Sequence, residues 1–285
     1  MSHLSVETLK AYRSHTFRLA PGRRVTSQEE AIDFVNERGF IYFWPISGIT
    51  LPSLWVAVAG DRPVADAHDD PGHVSWGWKD ALLDKQVWYY AKVLRRKATI
   101  ISLDALPYFY ALSENYGAPE EDYLTLYEQG RLTQEAKNIY EALLDNGALD
   151  TIALRKAAHL SSPENAARFE RALTDLQTDF KILPVRVTEA GAWHYAYAYD
   201  ITTRHFPDLI ERTRFIDERQ ARQKLIELYL HSVGAIEGRH IARLFGWPPV
   251  ELEGALQRLI ERGVVRDGVK VEGEAAQWYA LAELI

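Results

Sequence analysis

Cysteine is absent from all 285 residues. Its absence excludes disulfides, zinc–thiolate fingers and thiolate nucleophiles together. Long apolar runs are missing as well. The longest stretches, such as LWVAVAG at 54–60, fall far short of the roughly 20 residues a membrane helix needs. The opening stretch MSHLSVETLKAYRSH has no apolar core of signal-peptide length, so a soluble, cytoplasmic protein is expected. No glycine-rich phosphate loop occurs, since GAIEGRH lacks both the spacing and the Lys-Ser/Thr of a Walker motif. There is no GxSxG elbow and no triad pattern among the scattered Ser and His. Nothing therefore calls for a cofactor. A basic surplus is also lacking: the net charge is -7, which is not the bulk signature of a nucleic-acid binder.

What is present is a repeat. The segment EAKNIYEALLDNGALDTIALRKAAHL, followed by FERALTDLQTDFKILPVRV, returns as ARQKLIELYLHSVGAIEGRHIARLF, followed by LEGALQRLIERGVVRDG. Aligned on Gly147 and Gly234, Leu143 matches Leu230, Leu154 matches Ile241, and Phe169, Ala172, Leu173 and Leu176 match Leu252, Ala255, Leu256 and Leu259. Each copy ends in an aromatic strand, at Trp193 and Trp278. A repeat of this length is one folding unit used again. Helix, turn, helix and hairpin is the order of a winged helix. The pattern predicts helices near 134–146, 150–159 and 163–178 with a hairpin at 180–200, then helices near 218–232, 236–245 and 248–262 with a second hairpin. The expected fold is mainly α with small β-hairpins. Three tandem winged helix-turn-helix units (1–128, 129–212 and 213–285) would form one compact body. Along the first hairpin Trp193, Tyr195, Tyr197 and Tyr199 alternate with small residues, a ladder expected to pack on its own helices.

In the first unit, TSQEEAIDFVNER reads as a capped helix and FIYFWPI as a short buried strand. Leu83, Val87, Ala91 and Leu94, spaced four, four and three, predict a long amphipathic helix over 79–97. SENYGAPEEDYLTLYEQGRLT (113–133) reads as a connector. Charge is segregated in the 79–97 segment. Lys79, Lys85, Lys92, Arg95, Arg96 and Lys97 stand against Asp80 and Asp84, a local +4. That is where phosphates would meet the protein, with Trp76, Trp78, Trp88 and Tyr89 available to stack on bases. The two candidate recognition helices are acidic instead, with Glu164, Glu170 and Asp175 in one and Glu251, Glu253 and Glu261 in the other. At least one of those units is expected to serve as scaffold or protein-binding surface.

The loop His68-Asp69-Asp70-Pro71-Gly72-His73 gathers imidazoles and carboxylates. Its Pro/Gly setting favours turn chemistry over a metal site, and no metal is expected.

Several motifs in order carry a family resemblance. These are the strand Phe40–Ile46, the Trp-rich and basic stretch VSWGWKDALLDKQVWYYAKVLRRK, Tyr199-Asp200-Ile201-Thr202 running to Pro207-Asp208, and SVGAIEGRHIARLF. Together they resemble the tandem winged-helix DNA glycosylases that excise alkylated or crosslinked purines. The resemblance places the catalytic pair, normally Gln–hydrophobic–Gln or Gln–hydrophobic–Asp, at Tyr42 and Trp44. Neither Gln nor Asp occurs between Gly39 and Leu51. Indole offers only an N–H donor, and tyrosine is a poor base near neutral pH. Asp69 or Asp70 would be surrogate carboxylates if their loop folded over the strand. The leading expectation is duplex-DNA binding with tolerance for damaged sites. The alternatives are an active glycosylase with displaced catalytic groups, or a scaffold that binds a protein partner and never touches DNA.

Overall fold

A computed structural model describes residues 2–191 and 194–285. The first elements are β1 (His3–Leu4), α1 (Val6–Thr16), α2 (Gln28–Arg38), β2 (Phe40–Tyr42), α3 (Leu54–Ala59), α4 (Val74–Ala81), β3 (Trp88–Lys92), β4 (Ala98–Ser102), α5 (Leu106–Tyr110) and α6 (Pro119–Glu128). Next come α7 (Gln134–Asn146), β5 (Leu149–Asp150), α8 (Thr151–Ala157), α9 (Ala166–Thr178), β6 (Ile182–Thr188), β7 (Ala196–Ile201), α10 (Thr202–His205) and α11 (Leu209–Thr213). The chain closes with α12 (Glu218–Val233), β8 (Ala235–Ile236), α13 (Gly238–Phe245), α14 (Pro249–Glu261), β9 (Val265–Val271) and β10 (Gln277–Leu281). The molecule is mainly helical, with three small sheets among the described residues.

One order of elements occurs three times: helix, short strand, two helices, then two antiparallel strands. In each case the short strand pairs with the second strand of the hairpin. The sheets run β2-β4-β3, β5-β7-β6 and β8-β10-β9, the last extended by β1 lying parallel to β9. The local signals are the expected ones. Ser27, Thr133 and Asp217 accept backbone N–H groups at the starts of α2, α7 and α12, and Asp217 with Gln220 forms a capping box. Gly147 and Gly234 end the matched helices at the same φ of 75°, a conformation glycine takes without penalty. Both predicted hairpins are present, as β6–β7 and β9–β10. Trp193 lies outside the described residues.

The segment 79–97 is not a helix. α4 ends at Ala81, a turn follows, and Trp88–Lys92 pairs with Ala98–Ser102 as a hairpin. Of the four-four-three set Leu83, Val87, Ala91 and Leu94, only Ala91 lies in this strand, whose two faces are both covered, so no period-two alternation marks it. The expected connector is also partly ordered. Pro119 and three acidic residues open α6, whose Tyr123 and Leu126 are buried.

The largest apolar cluster joins all three repeats, from Phe40, Tyr42 and Phe109 through Phe180 and Leu183 to Leu225, Tyr229 and Leu256. The second repeat has its own cluster around Ile139, Leu143, Phe169 and Leu176. Helix α1 binds the far end of α12. Tyr12 donates to the His231 carbonyl at 2.9 Å, Arg13 to those of Val233 and Ala235 at 3.0 and 2.7 Å, and Thr16 to that of Ser232 at 2.7 Å. Carbonyls left unpaired at a helix C-terminus are here satisfied by residues more than 200 positions away in sequence.

Candidate functional site

The structure separates the two motif positions. Tyr42 is 0% exposed and belongs to the large cluster shared by the three repeats. Its hydroxyl points to the Leu94 carbonyl at 3.4 Å. Burial pushes that hydroxyl well above the ordinary tyrosine range, so it cannot act as a base near neutrality. Trp44 lies beyond the end of β2 and packs on the other side, against Phe43, Trp55 and Trp76 at centroid distances of 4.5, 5.3 and 5.9 Å.

Trp44 lines a cleft of about 540 Å³. Its walls are the loop residues Ala65, Asp66 and His68, together with Trp76 of α4 and Tyr195 at the start of β7. Two links hold the loop. Arg62 pairs with Asp70 at 2.5 Å while lying 5.0 Å over the Trp55 ring, and His73 Nε2 meets the Ala65 carbonyl at 2.9 Å. Asp70 also accepts the Gly72 N–H at 2.8 Å. The bond from Arg62, then that from Gly72, holds its carboxyl below the usual range. Asp70 is thus committed to the turn. Asp69 is exposed and does not line the cleft, whereas Asp66 does. Among the described residues no group of three His, Asp or Glu is gathered as a metal set.

Behind the cleft wall lies Lys79, which is 1% exposed rather than offered to phosphates. Its ammonium bonds to Asp80 and to the Tyr197 hydroxyl. It sits 4.7 to 5.6 Å from the ring centroids of Tyr197, Tyr90, Trp76 and Phe43. Burial pulls its pKa down, and the bond to Asp80 opposes that shift. Four aromatic rings and one carboxylate compensate for its lost hydration. Tyr195 therefore packs on the first repeat, not on its own helices, whereas Tyr197 reaches Lys79 and also packs on its own unit's cluster. Of the expected ladder, Tyr199 faces its own unit's cluster.

The other basic positions are dispersed. Tyr89 is fully buried against Phe180 and Phe206, and so is withdrawn from any nucleic acid. Lys92 is half-buried, its backbone tied to Gln177 and Thr178 of α9. Trp88 is core and Trp78 half-buried. Lys85, Arg95, Arg96 and Lys97 remain exposed. Lys85 is next to Asp84 at 3.3 Å and Arg96 pairs with Asp175 of α9.

Sequence reasoning missed Asp66 as a cleft residue, and nothing in its Pro/Gly-rich surroundings signals it. Tyr195 was detectable from the period-two aromatic ladder, though its partner was not.

Comparison with known proteins gives one consistent result. No curated protein matches by sequence. Among solved structures, the DNA glycosylase AlkZ of Streptomyces sahachiroi superposes with a TM-score of 0.61 at 14% identity, covering 99% of this chain and 71% of that one. This likeness establishes the fold. Residues 25–246 match the family described as AlkZ related, and with that span covering most of the sequence, the chain belongs to the AlkZ-related family.

Proposed function

We propose that this protein binds duplex DNA through three winged-helix units (1–128, 129–212 and 213–285) and seats one extruded base in the cleft beside Trp44. The observation that carries the reading is the convergence of Trp44, Trp76 and Tyr195 on a single cleft of about 540 Å³. That volume suits a ligand pocket, roughly 300–1,000 Å³. Stacking on aromatic side chains contributes about 1–3 kcal/mol per base and offsets the cost of unstacking it from the duplex. The thrice-repeated element order supports the winged-helix reading. The exposed Lys85, Arg95, Arg96 and Lys97 would supply phosphate contacts. Fluorescence anisotropy of a labelled duplex, intact or carrying an alkylated purine, tests this at low and moderate salt. Trp44→Ala is expected to erase any preference for the damaged duplex. Failure of the parent protein to bind either duplex at low salt would sink the proposal and favour a scaffolding role.

Hydrolysis of the glycosidic bond is the second reading, and one observation favours it. Asp66 places a carboxylate on the cleft wall, where it could orient water or stabilise a developing sugar cation. Alkylated purines depart readily because the base already carries positive charge, so a modest site suffices. Release of alkylated base that is lost in Asp66→Asn supports this reading. No release above a protein-free control eliminates it.

A further inference from the structure

The turn joining β3 to β4 is strained. Arg95 (φ 54°, ψ 26°) and Arg96 (φ 61°) both lie in the left-handed region, and the Lys97 N–H closes on the Leu94 carbonyl at 3.0 Å. Two consecutive residues at positive φ is a backbone that Asn and Gly adopt easily and Arg does not. Closing the hairpin requires no guanidinium at either position. Arg96 pairs with Asp175 across to α9. Arg95 has no carboxylate partner among the described residues.

Arg95 borders a cavity of about 250 Å³ whose walls include Phe109, Phe180, Phe245 and Trp247. Phe180 is itself left-handed, at φ 55°. Three of the seven non-glycine residues with positive φ among the described residues therefore line this one cavity. Such strain persists where the surroundings enforce it, and it concentrates at functional sites. Phe245 and Trp247 stack with centroids 4.2 Å apart. A Cβ on the intervening Gly246 would lie 4.0 Å from Arg95 Nη1, which sets the guanidinium beside that stack. The carboxylate on the wall, Asp179, is already engaged. It accepts the Glu114 N–H at 3.0 Å and lies 3.2 Å from Lys181 Nζ. The cavity thus combines an aromatic lining with one uncommitted cation.

We propose that this cavity is a nucleotide subsite, taking one heterocycle against Phe109, Phe180 and Phe245 and its phosphate on Arg95. A guanidinium grips phosphate through paired N–H donors, and aromatic walls accept any base. The volume lies below that of pockets for drug-sized ligands, roughly 300–1,000 Å³, which limits the occupant to a single ring system. The subsite shares no lining residue with the Trp44 cleft. It rests on the DNA-binding reading only for the source of the nucleotide.

Saturation-transfer NMR with deoxyadenosine monophosphate tests the subsite, with deoxyadenosine as the arm lacking phosphate. Arg95→Gly is the informative variant. Glycine takes φ 54° without strain, so the unfolding midpoint is expected at or above the parent's. Affinity for the nucleotide is expected to fall roughly ten- to hundredfold, the loss of a charge-assisted hydrogen bond, and deoxyadenosine is expected to bind the parent comparably weakly. In a Trp44→Ala background the loss caused by adding Arg95→Gly is expected to be the same, since the two sites share no lining residue. Three results would each overturn the proposal: no transfer from the parent at millimolar nucleotide, equal binding by Arg95→Gly, or loss confined to Trp44→Ala. Duplex titrations on the same proteins separate the two readings. Nucleotide binding without duplex binding would leave the subsite standing and remove the DNA-binding function.

Discussion

The indole N–H of Trp76 donates to the hydroxyl of Tyr195 at 2.9 Å, and that hydroxyl reaches the Asp80 carboxylate at 3.0 Å. The bond spans 119 residues and joins α4 of the first repeat to the hairpin of the second. One cleft wall is therefore assembled from two repeats, and the Tyr195 hydroxyl joins them beside the bond from Lys79 to Tyr197.

Tyr195→Phe is expected to leave the fold intact and cost about 1 kcal/mol or less. A net hydrogen bond contributes about 0.5–1.5 kcal/mol, and Trp76, at 40% exposure, can recover one from water. Denaturant unfolding measures the loss. The sharper readout is ligand preference at the cleft, which should weaken more than stability does, because the wall loses its fixed orientation.

The exposed basic turn sets the expected salt response. Replacing Arg95, Arg96 and Lys97 together by Ala should lower the slope of log affinity against log salt. The expected decrease is about 0.9 for each phosphate contact removed from duplex DNA. Lys79→Met should leave that slope unchanged, since Lys79 is buried among aromatic rings. Anisotropy titrations at several salt concentrations decide between the two sets, and a slope change from Lys79→Met alone would reverse the assignment.

Gly72 packs where nothing larger fits. A Cβ there would lie 2.8 Å from Ala59 Cβ and 2.9 Å from the Trp55 ring. Gly72→Ala is expected to cost about 1–3 kcal/mol as an overpacked site and to displace the loop that carries Asp66. Thermal unfolding gives the first effect. Faster proteolytic nicking within residues 61–70 would report the second.

Alkaline pH should destabilise the protein. Burial raises the folded-state pKa values of Tyr42, Tyr89, Tyr90 and Tyr229 above the ordinary 10.0. The unfolded chain therefore loses those protons first. Their contribution is complete below pH 10.0 and declines as pH rises beyond it. Lys79 acts in the opposite direction, because its folded pKa is lowered from 10.5; on its own it would raise stability as pH climbs toward that value. The tyrosines outnumber it, so a net fall is expected in urea unfolding above pH 10, with the tyrosinate absorbance of these four residues appearing only as the chain unfolds.

The second and third repeats were legible because each local rule agreed with the fold. Caps at Thr133 and Asp217, glycines at 147 and 234, and apolar spacing all pointed to the same boundaries. The first repeat was hidden by its turn. Arg95 and Arg96 occupy positions where Asn-Gly would have announced a hairpin, and WYYAK is covered on both faces, so helical spacing passed unchallenged. The candidate site was less legible still. The separation of Tyr42 from Trp44, and the meeting of Trp76 with Tyr195, arise from packing between repeats. No periodicity within one segment encodes such contacts.

The pairing of His3 with Lys270, and the grip of α1 on the end of α12, have a consequence for biosynthesis. These contacts cannot form until the ribosome has released residues from the third repeat. Residues 3–16 must wait, unsatisfied, while the intervening chain emerges at roughly 5–20 residues per second. Closure of such distant contacts is slow. The second repeat, with its own cluster, is free to condense in the meantime, so it is expected to acquire protease resistance on the ribosome before residues 3–16 do.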